Sequence, residues 1–268
     1  MATTSSSSTP HRHLISDLVA STLSMNADSE WIDALLFTPF LTEQALLYEY
    51  ADCLAAQTFF RMAGLPYQLR QRPNVDFISP TGKVPFLKLN NVLVAEFTGI
   101  VDFVAQKGVK LSAHLTEVQL AEMMAHMSMI DLLLRNIEIY VVWRHDETFS
   151  KITSSRVASV FHWPLTVILP RLKRREMIGY LDDQDWATKS MDEVLEAADR
   201  AFRSLSSQLG SCEFLMGDKP TEADALLFGH LYSIMTTQLP CHDLQNLLKK
   251  YNNLLDFTTR VEREFFKR

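Results

Sequence analysis

Cysteine is scarce in this sequence: Cys53, Cys212 and Cys241 are the only three in 268 residues, and no Cys-x-x-Cys pair occurs. So small and dispersed a set gives no disulfide framework and no support for a zinc site, and it favours a reducing compartment over secretion. Positive charge is also short. Lys and Arg number 26 against 32 Asp and Glu, a net charge of -6, which excludes the dense basic field that general nucleic-acid binding requires. Long apolar runs are missing too. Arg, Asp, Glu or Lys interrupts every apolar tract before it reaches the roughly 18–20 residues that span a bilayer. With only 8 glycines there is no P-loop, no Gly-rich dinucleotide turn and no G-x-S-x-G elbow. Residues 1–10 are rich in Ser and Thr and precede His11-Arg12-His13. They lack the apolar stretch and cleavage site of a secretory signal, and one Arg is too few for a mitochondrial presequence.

What is present is ordinary globular material, 47% apolar and 22% charged, long enough for two modest domains. The first 13 residues carry too few apolar groups to offset the entropy of ordering and read as disordered. Leu14, Ile15, Leu18, Val19 and Leu23, then Trp31, Ile32, Leu35 and Leu36, recur at helical spacing and predict two short helices. These fit packing on the body of the protein or an arm for a membrane surface or partner. Ala45 to Glu49 reads as a short strand. Cys53 to Ala63 reads as a helix closed by Gly64, and Pro66 blocks its extension. Tyr67 to Arg70 reads as a second strand. Val84 to Val94 then reads as a hairpin through Asn90-Asn91, and Glu96 to Lys107 as a helix stopped by Gly108.

The order β-α-β followed by β-β-α is the thioredoxin-like pattern. Past Gly108 the period is helical throughout. Val118 to Trp143 is Met-rich, which fits interdomain packing or an adaptable binding face. Pro164 and Pro170 predict shorter or kinked helices between Val157 and Leu172. Arg171 and Lys173-Arg174-Arg175 form a basic cluster, read either as a solvated helix face or as a contact for anionic lipid. Ser190 with Glu193 forms a capping box, Thr221 with Asp224 a variant of one, and Leu254 to Phe266 a last amphipathic helix. The fold class is therefore α/β plus all-α. A disordered tail and helical arm (residues 1–40) precede a thioredoxin-like domain (41–110) and an all-helical C-terminal domain (111–268).

Pro85 opens an apolar strand, where proline is confined to strand starts, edges or bulges. In this the segment resembles thioredoxin-like domains, which carry a proline here, typically after a cis bond. In the similar glutathione transferases the backbone before that proline faces the glutathione ligand, and a Glu-Ser pair at the next helix start holds its carboxylate. Here Val84, Pro85 and Glu96 fit that frame, whereas Phe97 stands where the hydroxyl is expected and Thr98 comes one position late. These five residues read as the remnant of a ligand pocket, with Phe97 filling the volume of the carboxylate. Cys53, near a helix start, has two readings: a packed structural thiol, or a thiolate nucleophile opposed by the charge of Asp52. Tyr48 and Tyr50 are weaker candidates. His145-Asp146-Glu147 reads as an exposed helix end rather than a metal site, and His126 and His230 read as core histidines. No cofactor or metal is expected.

Four stretches carry a closer likeness. They are Asp52-Cys53-Leu54-Ala55, Ser79 to Phe86, His162-Trp163-Pro164-Leu165, and Lys219 to Leu231 with Thr236-Thr237-Gln238-Leu239. Together they resemble the metaxins, most closely the second type, over roughly residues 30–268. The resemblance implies a glutathione-transferase-like protein without established transferase activity, peripheral on the cytosolic face of the mitochondrial outer membrane. It further implies a heterodimer with a metaxin-1-like protein, a role with the sorting and assembly machinery for β-barrel proteins, and links to motor proteins or their outer-membrane adaptors. The first type characteristically has a C-terminal membrane tail. This sequence closes on Glu264-Phe265-Phe266-Lys267-Arg268, so membrane association is expected to be indirect. Thr221 and Asp224 are expected to cap the helix of the last motif.

Overall fold

The computed structural model describes residues 31–266. Its sheet holds four strands: β1 (Leu35–Thr38), β2 (Gln68–Gln71), β3 (Phe86–Leu89) and β4 (Val92–Ala95), in the spatial order β2-β1-β3-β4. β1 runs parallel to β2 and antiparallel to β3, with Leu36 opposite both Leu69 and Leu87. Alternation sorts the faces. Leu36 and Leu87 join the main core, whereas Phe37 and Phe86 point the other way and stack at 4.7 Å. The hairpin turns at Asn90, which takes φ 54°, and the Val84–Pro85 bond is cis. Helices α1 (Leu47–Met62), α2 (Val75–Ile78) and α3 (Phe97–Gln106) complete the thioredoxin-like unit.

The first strand is a correction. Ala45 to Glu49 is not a strand: Ala45, Leu46 and Leu47 form the buried entrance to α1, where the Glu49 carboxylate reaches back to accept the Leu46 N–H at 2.9 Å. The helix expected through Trp31 to Leu36 is instead an irregular, bent lead-in to β1. Asp33 at φ 53° prevents a helical turn, and the Trp31 indole N–H donates to the Pro66 carbonyl at 2.8 Å. The sheet therefore begins at Leu35, so a boundary at residue 41 would separate one central strand from its partners. The expected disordered tail and the helix from Leu14 to Leu23 lie outside the described residues.

The described residues after α3 are mostly helical. α4 (Glu117–Met129) widens into a π turn at Ile130–Leu134, resumes as α5 (Arg135–Ile139) and widens again at Tyr140–Arg144. After α6 (Ser154–Ala158), the break falls at residues 159–164, which include a cis Trp163–Pro164 bond. α7 (Leu165–Asp183) follows and runs through Pro170. α8 (Met191–Leu209) starts on the expected Ser190–Glu193 box, with Ser190 N–H bonded to the Glu193 carboxylate at 2.7 Å. α9 (Glu222–Thr236) is buried on nearly all sides, the mark of a central helix. α10 (Asp243–Leu248) and α11 (Asn252–Phe265) pack around it. Asp224 accepts from the N–H and hydroxyl of Thr221 at 2.8 and 2.6 Å and from the Leu215 N–H at 2.7 Å. Burial pushes its carboxyl up to about 6 against those bonds.

Candidate functional site

A cleft of about 410 Å³ lies between the sheet unit and the helical region. One wall is Pro39, Leu46, Glu49, the turn of α2 and Val84; the other is Trp143, Arg156, Phe161, Leu172 and Lys173. Its position follows from the topology. The end of β1, the start of α1 and the cis-proline loop converge at one end of the sheet, and α6 and α7 face them.

The hairpin brings the five residues read as a pocket remnant together, but only Val84 reaches the cleft lining. Pro85 is buried, and its carbonyl accepts the Glu96 N–H at 2.9 Å. Glu96, at φ 67°, pairs with Lys83 at 2.6 Å, and Thr98 is exposed at the start of α3. Phe97 is turned into the core rather than into the cleft, its ring edge-on to Phe59 at 6.2 Å. It leaves no hydroxyl where a carboxylate clamp would need one.

Cys53 is fully buried among Val75, Val84 and Phe86. Burial, then the charges of Asp52 and Glu49, hold its pKa well above the usual thiol range, so the group is a neutral thiol at pH 7 and no ready nucleophile. Tyr48 is tied up as well. Its hydroxyl donates to Glu49 at 3.3 Å and lies 3.4 Å from the Trp143 indole N–H. Among the described residues no group of three His, Cys, Asp or Glu could hold a metal. Asp146 and Glu147 are engaged by Arg174 and Lys151.

Glu49 lines the cleft. Burial raises its carboxyl to about 7, although the Leu46 N–H and Tyr48 hydroxyl favour the anion. Its folded pKa thus exceeds the unfolded value, so the folded chain binds more protons between them, and stability falls as pH rises through that window. Glu49→Gln keeps an acceptor for Leu46 and removes the titration. Relative to the parent, the variant should gain stability from pH 5 to pH 7, read from denaturation midpoints; parallel profiles would show that Glu49 is not perturbed.

One cluster escaped the sequence altogether. Arg135 of α5 bonds the Asp52 carboxylate with both terminal nitrogens, at 2.6 and 2.8 Å, and also meets Asp131. Next to it His230 Nδ1 lies 2.8 Å from Glu138, both fully buried. Burial opposes the Arg135 cation, yet its two carboxylates outweigh that and hold its pKa above the usual range. His230 is a core histidine, as its apolar setting predicts, but one with a buried acidic partner.

Two family models match this chain. Residues 51–149 match the Glutathione S-transferase N-terminal domain family, and residues 198–261 the Glutathione S-transferase C-terminal domain family. The Metaxin-2 homolog of Caenorhabditis elegans is 57% identical over 84% of this chain and 98% of its own length. Human Metaxin-2 is 41% identical over 87% of this chain and 89% of its own, and mouse Metaxin-1 is 27% identical over 81% and 70%. Among solved structures, glutathione transferase F7 from Populus trichocarpa superimposes with a TM-score of 0.53 at 15% identity, covering 87% of this chain and 96% of its own, a likeness of fold.

Proposed function

The chain belongs to the metaxin family, and on that premise we propose that it is a non-enzymatic scaffold that pairs with a metaxin-1-type partner. Its place is the cytosolic face of the mitochondrial outer membrane, in β-barrel protein import and assembly and in linking mitochondria to motor proteins. The observation that carries the non-enzymatic part is the state of the frame. Where a glutathione transferase needs an accessible nucleophile or thiolate stabiliser and a hydroxyl clamp, this chain has a sealed neutral Cys53 and a core-packed Phe97. The fold is retained while the groups that would read and activate a thiol are spent on packing.

Co-purification with a metaxin-1-type protein should yield a stable complex of the two chains. If both are folded and remain separate by sedimentation, the scaffold reading fails. Calorimetry with glutathione should show no saturable heat at millimolar concentration. Saturable binding lost on Cys53→Ser would instead favour the alternative, a glutathione-dependent transferase or thiol enzyme using Cys53.

A further inference from the structure

We propose that the Trp163 loop and the first turns of α7 form a surface that docks directly on an anionic phospholipid bilayer. Trp163 is 82% exposed. Isolated exposed apolar residues are ordinary, but a contiguous group marks an interaction surface. Leu165, Ile168 and Leu172, all exposed, follow Trp163; they lie three and four residues apart from one another and so share one face of α7. Phe77 of α2, 70% exposed, meets Phe161 edge-on at 6.3 Å and extends the surface across the cleft mouth.

Along the loop and the first turns of α7 the charge has one sign. Residues 162–175 hold four Arg and Lys and no Asp or Glu, in a chain of net charge -6. Arg174 is occupied by Asp146 and the Trp143 carbonyl, and Lys173 by Glu176. Arg171, which also donates to the Val167 carbonyl at 2.8 Å, and Arg175 are exposed one turn from Ile168 and Leu172. The nearest acids on the same helix are Glu176, already paired, and Asp182-Asp183 further along; Asp76 of α2 lines the cleft. An exposed Trp beside aliphatic groups and flanking arginines suits the headgroup zone, where the indole sits at the boundary and the cations meet lipid phosphates. Among the described residues no helix is long and apolar enough to cross a membrane, so the contact is interfacial. The inference is independent of the pairing proposed above.

The test is co-sedimentation of the full chain with phosphatidylcholine vesicles and with phosphatidylcholine–phosphatidylserine vesicles. Binding to the anionic vesicles only, weakened by salt, is expected. Trp163→Ser should weaken it about tenfold or more, and Arg171→Glu and Arg175→Glu at least about fivefold each. All three side chains are exposed, so thermal unfolding and pairing with a metaxin-1-type protein should be unchanged. The proposal is overturned if the parent chain does not bind anionic vesicles, or if these substitutions leave binding intact. It is also overturned if they abolish capture of the protein partner with no vesicle binding to lose, which would make the face a protein interface.

Discussion

Gly229→Ala should destabilise the protein by about 3 kcal/mol or more, and Gly229→Val should leave little soluble folded chain. A single methyl group is ordinarily a gain in helix propensity of about 1 kcal/mol, so the sign depends on what the Cβ would meet. At Gly229 it would collide with the Ala51 carbonyl oxygen and lie 2.8 Å from the Ala55 nitrogen and 3.0 Å from the Ala55 Cβ. Two of these three are backbone of α1 and cannot rotate away. Nor can α9 back off. Its Leu226, Leu227, Phe228 and Leu231 are buried on the other sides, while α1 is fixed by Phe59 and Phe60. Ala55→Gly would remove only the Cβ contact, so combined with Gly229→Ala it should recover less than half of the loss. Denaturation midpoints of the two single variants and the double variant measure this. A cost below 1 kcal/mol for Gly229→Ala would mean that the helices can part, and that their close approach does not hold the sheet unit to the helical region.

That approach also separates what the sequence made legible from what it hid. Local chemistry was readable: the Asn90-Asn91 hairpin, the stop at Gly108 and the Ser190–Glu193 box each involve residues within a few positions of one another. β1 was not. Leu35–Thr38 and Ala45–Leu47 are both short apolar runs, and periodicity cannot separate a strand from a helix entrance at that length. What decides is pairing with Gln68–Gln71 and Phe86–Leu87, more than thirty residues away. At the candidate site the altered clamp was legible as a residue type, because Phe97 carries no hydroxyl. The direction of its ring was not, since that depends on Phe59 across the core. Asp52 looked like a charge beside Cys53, and its partner Arg135 stands 83 positions later.

Asp52 and Arg135 yield the second large effect, and it should be asymmetric. Asp52→Ala strands a mostly buried guanidinium, for which the loss of a partner costs about 3–5 kcal/mol. Arg135 keeps Asp131, which is partly exposed, so the lower end of that range is expected. Arg135→Met strands a carboxylate instead, and a carboxylate has a way out: it takes a proton. Burial already raises the Asp52 pKa against the pull of Arg135; without Arg135 it rises further. With the folded pKa above the unfolded one, the folded state binds more protons between the two values, so stability is lost as pH rises through that window. Arg135→Met should therefore cost less at pH 5 than at pH 8, whereas Asp52→Ala, which removes the titrating group, should cost no more at pH 8 than at pH 5. The paired replacement Asp52→Leu with Arg135→Met removes both charges and should be less destabilising than either single change, as buried ion pairs exchanged for apolar groups often are. A pair that proved additive would show that α1 and α5 are joined by packing alone, with Glu138 and His230 beside them as a separate buried unit.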